Sequence, residues 1–504
     1  MSVLDKYIIT KNNKSVDLKA IPVLTYNDFS SLIKSLLQKT ENHCLNYFTY
    51  PSNDKMQLIA CIASDSDASI LIFSHVVAQG EELESLSAEI SALHIFEREI
   101  FENYGVKFKN HPWLKPVRYS KNRFDNKSKI KDYPFYSIQS DELHEVGVGP
   151  IHAGIIEPGH FRFICNGEDV LHLEIQLGYQ HRGVEQLFLE KKKVLQRNIL
   201  AESIAGDTAV GHSLAFAQIM ESLGNISISE QLSIERAMAL ELERIAIHVG
   251  DIAALCTDIG YSLGANIFAI LRTLIINFTQ SWCGNRLGKG MIRVGGTNQA
   301  FNNDLKKKLI KVLDDFEFQF NELAHRTFKL PSVENRFDNI GTISETQARN
   351  LGVVGMTARM ANVLRDIRHS HPFAGFEKYP IPTLVLPNGD VFSRFLLRRK
   401  EVKQSIAWIR NILDCEKFEN PAPMPVTELN LEANKLCIGL TEAWRGEICH
   451  CAITDNSGQL TLYKIKDPSL HNWKALELSL RNVEISDFPI NNKSYNLSYC
   501  GHDL

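Results

Sequence analysis

The sequence predicts an α+β chain: an N-terminal α/β domain followed by a mainly α-helical bundle with peripheral antiparallel strands. Three observations predict it. Two runs rich in Ile, Leu, Val and Phe, residues 56–62 and 69–77, lie before residue 118 with a polar Ala63-Ser-Asp-Ser-Asp67 stretch between them, the pattern of a hairpin. Further on, Met238, Leu242, Ile245, Val249, Ile252 and Cys256 recur at 4-3-4-3-4 spacing, a seam for helix packing. Shorter strand-like runs, 161–165, 171–177 and 460–465, flank the helical part on both sides.

In chain order, residues 84–101 have helical spacing, with Leu86, Ile90, Leu93 and Phe96 near one stripe and Gly105 as the stop. Residues 119–146 are polar and charged and read as an extended connector. The character changes at Val146-Gly-Val-Gly-Pro-Ile-His152, a glycine-punctuated loop that leads into a hairpin turning at Asn166-Gly167. The chain must reverse again at Tyr179-Gln-His-Arg-Gly-Val-Glu185 before helices take over. The clearest helix is 229–250, extended to about 256. On it Glu241, Arg244 and His248 share a second face, which reads as helix-surface ion pairing. Residues 305–323 form another amphipathic helix with Asn303 or Asp304 as N-cap, and 393–413 a third. The expected units are 1–118, the connector 119–146, and 147–504.

At 504 residues, 44% hydrophobic and 23% charged, the chain has the length for two or more globular domains. A net charge of −4 argues against broad nucleic-acid binding, and Lys191-Lys-Lys193 reads as a solvated helix face. Ten cysteines include no Cys-x-x-Cys pair, as expected of reduced thiols rather than a metal site. Cys449 and Cys451 fall on one strand face. The first residues lack a basic-then-apolar export signal, and the most apolar run, 265–278, is interrupted by Arg272. No membrane span is expected, and contact with a membrane would come through partners.

Three stretches carry the chemistry. Glu202-Ser-Ile-Ala-Gly-Asp-Thr-Ala-Val-Gly-His-Ser213 sets one acid, Asp207, and one imidazole, His212, among small residues. An acid in close packing needs a partner or a changed pKa. Thr441-Glu-Ala-Trp-Arg-Gly-Glu447 and Asn496-Leu-Ser-Tyr-Cys-Gly-His-Asp-Leu504 are expected to meet it. Asp207 and His212 are candidates for a proton relay.

With these pieces in place, residues 147–504 resemble the large subunit of energy-converting, membrane-bound (group 4) nickel–iron hydrogenases, formate hydrogenlyase included. They equally resemble the D-type subunit of complex I, NADH-quinone oxidoreductase. The resemblance rests on Gly149-Pro-Ile-His152, Glu157-Pro-Gly-His-Phe-Arg-Phe163, His181-Arg-Gly-Val-Glu185, Glu241-Leu-Glu-Arg-Ile245 and Arg293-Val-Gly-Gly296. Asp366-Ile-Arg368 with His371-Pro-Phe373, Gly389-Asp390 with Arg394, and Trp444-Arg-Gly446 complete it. The first domain is similar to the C-type subunit of complex I through Glu97-Arg-Glu-Ile-Phe101, Tyr104-Gly105 and His111-Pro112.

The resemblance implies a hydrophilic subunit of a membrane-associated oxidoreductase of the NADH dehydrogenase class, with electron transport, NAD and quinone chemistry belonging to the assembly. It also implies a place on the cytoplasmic side of the inner membrane, an iron–sulfur partner subunit with its cluster, and membrane subunits. Active hydrogenases of this family hold nickel and iron on two Cys-x-x-Cys pairs. The matching positions here are Ala205, Thr208, Ser498 and Gly501, with Cys500 out of register. Soft thiolates suit a metal that changes redox state, so no nickel–iron centre and no cofactor held by this chain alone are expected. The quinone signature of complex I is also incomplete: its tyrosine falls on Gly206, its first histidine on His152, and its second near Pro158, with His160 close by. Under the arrangement the resemblance implies, Asp207, Arg445, His502 and Asp503 converge, and an Asp207–Arg445 pair would neutralise two charges that are costly to bury singly. Candidate cavity or relay residues are therefore Asp207, His212, Arg445, His152 and His160. His181 and Arg182 are weaker candidates that join the hairpin to the bundle. Two functions compete, a quinone-type or proton-relay cavity and a redox-silent scaffold or coupling subunit. An active hydrogenase is disfavoured.

Overall fold

A computed structural model describes residues 6–52, 55–78, 80–152, 156–419 and 423–504. Its first part contains β1 (Ile8–Thr10), β2 (Ser15–Asp17), β3 (Val23–Leu24), α1 (Tyr26–Leu37), β4 (Asn42–Ser52), β5 (Lys55–Ser64), β6 (Ser69–Val77), β7 (Glu82–Glu84), α2 (His94–Tyr104) and β8 (Lys107–Lys109). The main sheet runs β1-β6-β5-β4, with β3 alongside β6. The β5–β6 pair is the antiparallel hairpin read from the sequence. Thr25 caps α1, which buries Phe29, Leu32, Ile33 and Leu36 on the sheet at i, i+3, i+4 and i+7 spacing.

The helix expected over 84–101 is shorter. Residues 82–84 pair with β8, and α2 begins only at His94. The reason is Glu97. Its buried carboxylate accepts hydrogen bonds from the Leu86 and Ser87 backbone N–H groups and from the Ser85 and Ser87 hydroxyls. These hold 85–87 as a loop strapped to the helix. Gly105 ends α2 with φ 73°, as expected of a helix stop.

Residues 119–143 run without strand or α-helix, and the last connector residues enter β9 (His144–Val148), which joins β10 (His160–Asn166) and β11 (Asp169–Gln176) in a three-stranded antiparallel sheet. The helical part comprises α3 (Val184–Glu190), α4 (Val194–Ala201), α5 (Ala209–Leu223), α6 (Glu230–Asp258), α7 (Ser262–Cys283), α8 (Asn303–Thr327), α9 (Pro331–Phe337), α10 (Glu345–Leu351), α11 (Gly355–Arg359), α12 (Ile367–Ser370) and α13 (Val391–Cys415). The N-cap of α8 is Asn302, one residue before the expected pair, and its side chain accepts from the N–H groups of Asp304 and Leu305.

Helix α6 packs against α7 and α13, and every residue of its Met238-to-Cys256 seam is buried. The second face of α6 is not a surface. Glu241, Arg244 and His248 are buried and joined to residues far along the chain. Arg244 bonds Glu241 and Glu401, His248 meets Glu401 at 2.8 Å, and Arg368 meets Glu241 at 3.1 Å. Ion-pair spacing on one helix looks the same whether its partners are water or α13, so the local pattern could not separate the two.

The chain ends with β12 (Lys435–Glu442), β13 (Glu447–Thr454), β14 (Leu460–Lys466), α14 (Ser469–Ser479), α15 (Phe488–Tyr495) and α16 (Tyr499–Asp503). The last sheet has the order β14-β13-β12-β2, so a strand from the first twenty residues completes a sheet built by residues beyond 430. Helices and mainly antiparallel strands make the architecture α+β. Helix α7 is long and apolar enough to cross a membrane by length and composition, although Arg272 interrupts it. One third of its most apolar window is buried, against α6 and α8.

Candidate functional site

The site is built around a tight hairpin. Strands β12 and β13 are joined through Ala443 and Gly446, whose backbones exchange both hydrogen bonds, with Trp444 and Arg445 at the tip. The tip is buried because Arg244 of α6 reaches it, donating to the carbonyls of Glu442 (2.7 Å) and Ala443 (3.1 Å). Glycine is required where the tip passes α11. A Cβ on Gly355 would lie 2.1 Å from the α-carbon of Gly446. Arg359 fixes the strand below through Glu442 (2.6 Å) and Glu401 (2.8 Å).

From this tip Arg445 reaches Asp207. Its Nη1 and Nη2 each donate to a different carboxylate oxygen at 2.7 Å, a two-pronged pair, and Nη1 also meets the Thr208 hydroxyl at 3.0 Å. Its Nε donates to the carbonyl of Asn496, its guanidinium stacks on Trp444, and Trp444 Nε1 donates to the carbonyl of Asp207. Burial would lower the Arg445 pKa, but the Asp207 carboxylate outweighs it and the net shift is upward. A second arginine closes the other side. Arg182 donates to the carbonyls of Ser203, Ile204 and Cys500. The expected meeting of 202–213, 441–447 and 496–504 therefore occurs, bridged by two arginines. Asp207, with 35% of its side chain exposed, marks the open edge of the cleft.

Ala205, Thr208, Ser498 and Gly501, which the resemblance matches to the thiolate positions of nickel–iron hydrogenases, belong to the stretches that form this cleft, and none of them offers a thiolate. Ala205 and Gly501 offer no ligand atom. The Thr208 hydroxyl is engaged by Arg445, and the Ser498 hydroxyl caps α16 by accepting from Gly501 N–H at 2.8 Å. There is also no room for a side chain at 501. A Cβ there would lie 2.7 Å from the carboxylate of Asp467.

Asp467 belongs to a second, wholly buried cluster. His212 does not face Asp207. Its Nε2 meets Asp467 Oδ2 at 3.0 Å and its Nδ1 meets His450 Nε2 at 3.1 Å, while His450 Nδ1 meets the Tyr463 hydroxyl at 2.9 Å. The expected Asp207–His212 relay is thus divided between two sites, because on α5 the His212 side chain turns inward to β13. Burial opposes ionisation of Asp467, yet His212 and Arg445 hold its carboxyl below the ordinary range. Burial, reinforced by His212, keeps His450 well below the usual imidazole value.

The other candidates have simpler surroundings. His152 Nε2 meets the carbonyl of Gly159 and His160 Nδ1 that of Gly149, so the two imidazoles brace one loop. His181 bonds the carbonyl of Asp503, and Asp503 accepts from the N–H groups of Gly178 and Gln180. His502 and Asp503 thus tie the C-terminus to the reversal after β11 and do not converge on the Asp207–Arg445 pair. Beside Arg182 lies a groove of about 700 Å³ lined by both parts of the chain, including Glu99, Arg118, Glu185, Leu189, Tyr463 and Lys464.

Sequence reasoning missed Glu243, His450 and Asp467. Glu243, on α6, accepts from the N–H groups of Val210 and Gly211 at the start of α5. Burial and the nearby Asp207 charge outweigh those bonds and push its carboxyl up to about 8. Its sequence signals were a third charge between Glu241 and Arg244 and a place in the Glu241-Leu-Glu-Arg-Ile245 motif. Asp467 had none, since its partners lie on other elements.

Comparison with known proteins gives two matches to family models. Residues 23–137 match the respiratory-chain NADH dehydrogenase 30 Kd subunit, and residues 258–432 the 49 Kd subunit of the same enzyme. Hydrogenase-4 component G of Escherichia coli (strain K12) is 24% identical over 438 residues, covering 84% of this chain and 76% of that protein. Formate hydrogenlyase subunit 5 of the same strain is 26% identical, covering 84% and 77%. The D 2 subunit of NADH-quinone oxidoreductase from Solibacter usitatus is 28% identical over 361 residues, covering 69% and 94%.

Proposed function

We propose that this chain, which belongs to the complex I 30 Kd and 49 Kd subunit families in fused form and is related to hydrogenase subunits, is the hydrophilic subunit of a membrane oxidoreductase whose cleft handles a quinone head group or protons and not hydrogen. One observation carries the reading: the Asp207–Arg445 pair stands among Ala205, Thr208, Ser498 and Gly501, where a redox metal would need thiolates. The remaining chemistry is polar. A guanidinium held by Asp207 and Trp444 presents fixed donors at the cleft edge, and burial pushes the carboxyl of nearby Glu243 up to about 8.

The groove beside Arg182 supports docking of an iron–sulfur subunit. It carries both charged and apolar lining, it adjoins the cleft through Arg182, and both parts of the chain line it, so a partner seated there would cover the open edge at Asp207. Electrons would then come from the partner's cluster. Residence at the cytoplasmic face of the membrane would follow from the partners.

The test is to purify the complex from its own membranes, measure metals and hydrogen uptake, and assay reduction of a short-chain quinone with and without Asp207→Asn. An iron–sulfur partner, no nickel and a quinone reduction lost in the variant are expected. Stoichiometric nickel with hydrogen turnover would overturn the reading. Quinone reduction untouched by Asp207→Asn would leave a scaffold role.

A further inference from the structure

The buried cluster behind the cleft has an order that ordinary packing does not require. Tyr463 and Ile465 lie two apart near the end of β14, Asp467 follows as the first residue beyond the strand, and His450 of β13 sits opposite Ile465. Alternation puts Tyr463 and His450 on one sheet face, with Asp467 just past its end. His212 enters from α5 and closes the gap to Asp467. The result is one unbranched line, Tyr463–His450–His212–Asp467, linked at 2.9, 3.1 and 3.0 Å. All four side chains are buried. At one end Tyr463 forms part of the wall of the groove, and at the other Asp467 fills the space against Gly501 in the cleft.

The hydrogen inventory of this line allows two arrangements with Asp467 ionised. In the first, both imidazoles are neutral. Tyr463 donates to His450 Nδ1, His450 Nε2–H donates to His212 Nδ1, and His212 Nε2–H donates to Asp467. In the second, the line holds one more proton. His212 is an imidazolium that donates to Asp467 from Nε2 and to His450 from Nδ1, and His450, now protonated on Nδ1, donates to Tyr463. The two are interconverted by passing the Tyr463 hydroxyl proton to His450 Nδ1 and the His450 Nε2 proton to His212 Nδ1, while Tyr463 regains a proton from the groove. Two N–H bonds form, one N–H bond breaks, the tyrosine O–H is replaced, and no electrons move.

We propose that Tyr463, His450, His212 and Asp467 form a proton relay that loads His212 from the groove and holds the proton, paired with Asp467, at the cleft. The inference deepens the reading of the cleft as a quinone or proton site and rests on it: a cleft covered by a partner needs an internal route for protons. The charged and titratable groups facing the line are few. Arg445 lies beside Asp467 and favours its ionised form, and Arg197, Cys437, Cys449 and Cys451 surround Tyr463. Asp467 is anchored by the N–H of Ser469, which fixes its free oxygen toward His212. Tyr463 is held flat against Phe188, with ring centroids 4.2 Å apart, so its hydroxyl keeps its aim.

The test is made on the full-length chain with ¹⁵N-histidine, its His212 and His450 signals assigned with His212→Gln and His450→Gln. Because His450 exchanges its N–H from Nε2 to Nδ1 when His212 takes a proton, the two residues should change with a single shared midpoint. Tyr463→Phe should abolish the exchange at His450. If His212 titrates while His450 keeps one tautomer, or if Tyr463→Phe leaves both curves unaltered, the relay is overturned. Failure of His212 to take up a proton at any pH at which the chain stays folded has the same consequence. None of these readouts depends on turnover, so loss of the cleft's proposed activity and loss of the relay are distinguishable. A shared midpoint with no quinone reduction by the complex would keep the relay and remove the acceptor assigned to it.

Discussion

Asp207 and Arg445 lie 238 positions apart and meet through two contacts of 2.7 Å, one to each carboxylate oxygen. The two partners are unequally buried, 35% of the Asp207 side chain being exposed against 4% for Arg445. Loss of Asp207 therefore strands a cation that water cannot reach.

Asp207→Ala is expected to destabilise the chain by about 2–4 kcal/mol, and Asp207→Asn by less because an acceptor remains. Arg445→Lys should cost nearly as much as Arg445→Ala, since an ammonium cannot reproduce the two-pronged geometry. The double variant Asp207→Ala/Arg445→Met should be more stable than Asp207→Ala alone. Denaturant unfolding measures all five variants and Arg445→Met alone, and strict additivity in the double variant would refute the pairing argument.

Gly501 and Asp467 compete for one volume. Gly501→Ala should destabilise by about 1–3 kcal/mol, because its Cβ would press on the buried carboxylate. The same change made in an Asp467→Ala background should cost clearly less. Equal penalties in both backgrounds, read from thermal unfolding, would mean that α16 and not Asp467 sets the limit.

Glu243 gives a pH dependence of known sign. Its folded-state carboxyl is pushed up to about 8 from an ordinary 4.5, first by burial. The folded chain thus keeps a proton that the unfolded chain has lost. The stability this contributes is whole below about 4.5 and is lost as pH rises through 8. Glu243→Gln keeps an acceptor for Val210 N–H and removes the titration. Parent and variant should match near pH 5, and the variant should be the more stable near pH 9 by an amount on the order of 2 kcal/mol.

The seam between the two parts of the chain titrates in another way. His43 Nε2 meets Glu447 Oε2 at 2.6 Å across the interface, with Asp65 and His371 close by. Burial and Arg365 would lower the His43 pKa, but Asp65 and Glu447 overcome them and raise it. The stability from the charged form is therefore whole below pH 6.5 and fades as pH climbs past the raised value. His43→Gln should cost about 1–3 kcal/mol at pH 6 and less at pH 9. A penalty that grew with pH would reverse the assignment.

Local pattern by itself determined most of the elements. The Met238-to-Cys256 seam, the β5–β6 and β10–β11 hairpins and the Gly105 stop each depend on spacing within a few residues, which a linear reading sees directly. That three stretches would meet was expected from Asp207 among small residues together with the family resemblance, under whose arrangement Trp444-Arg-Gly446 supplies the cation. Only the tertiary structure decided which way each polar side chain turned. His212 lies five residues from Asp207, yet it turns to β13 and finds His450 and Asp467. Glu241, Arg244 and His248 have the spacing of a solvated face, yet α13 and the β12–β13 hairpin bury them. Partners of a buried charge lie hundreds of positions away, and the cost of leaving such a charge unpaired falls on the fold as a whole, so it leaves no mark on neighbouring sequence.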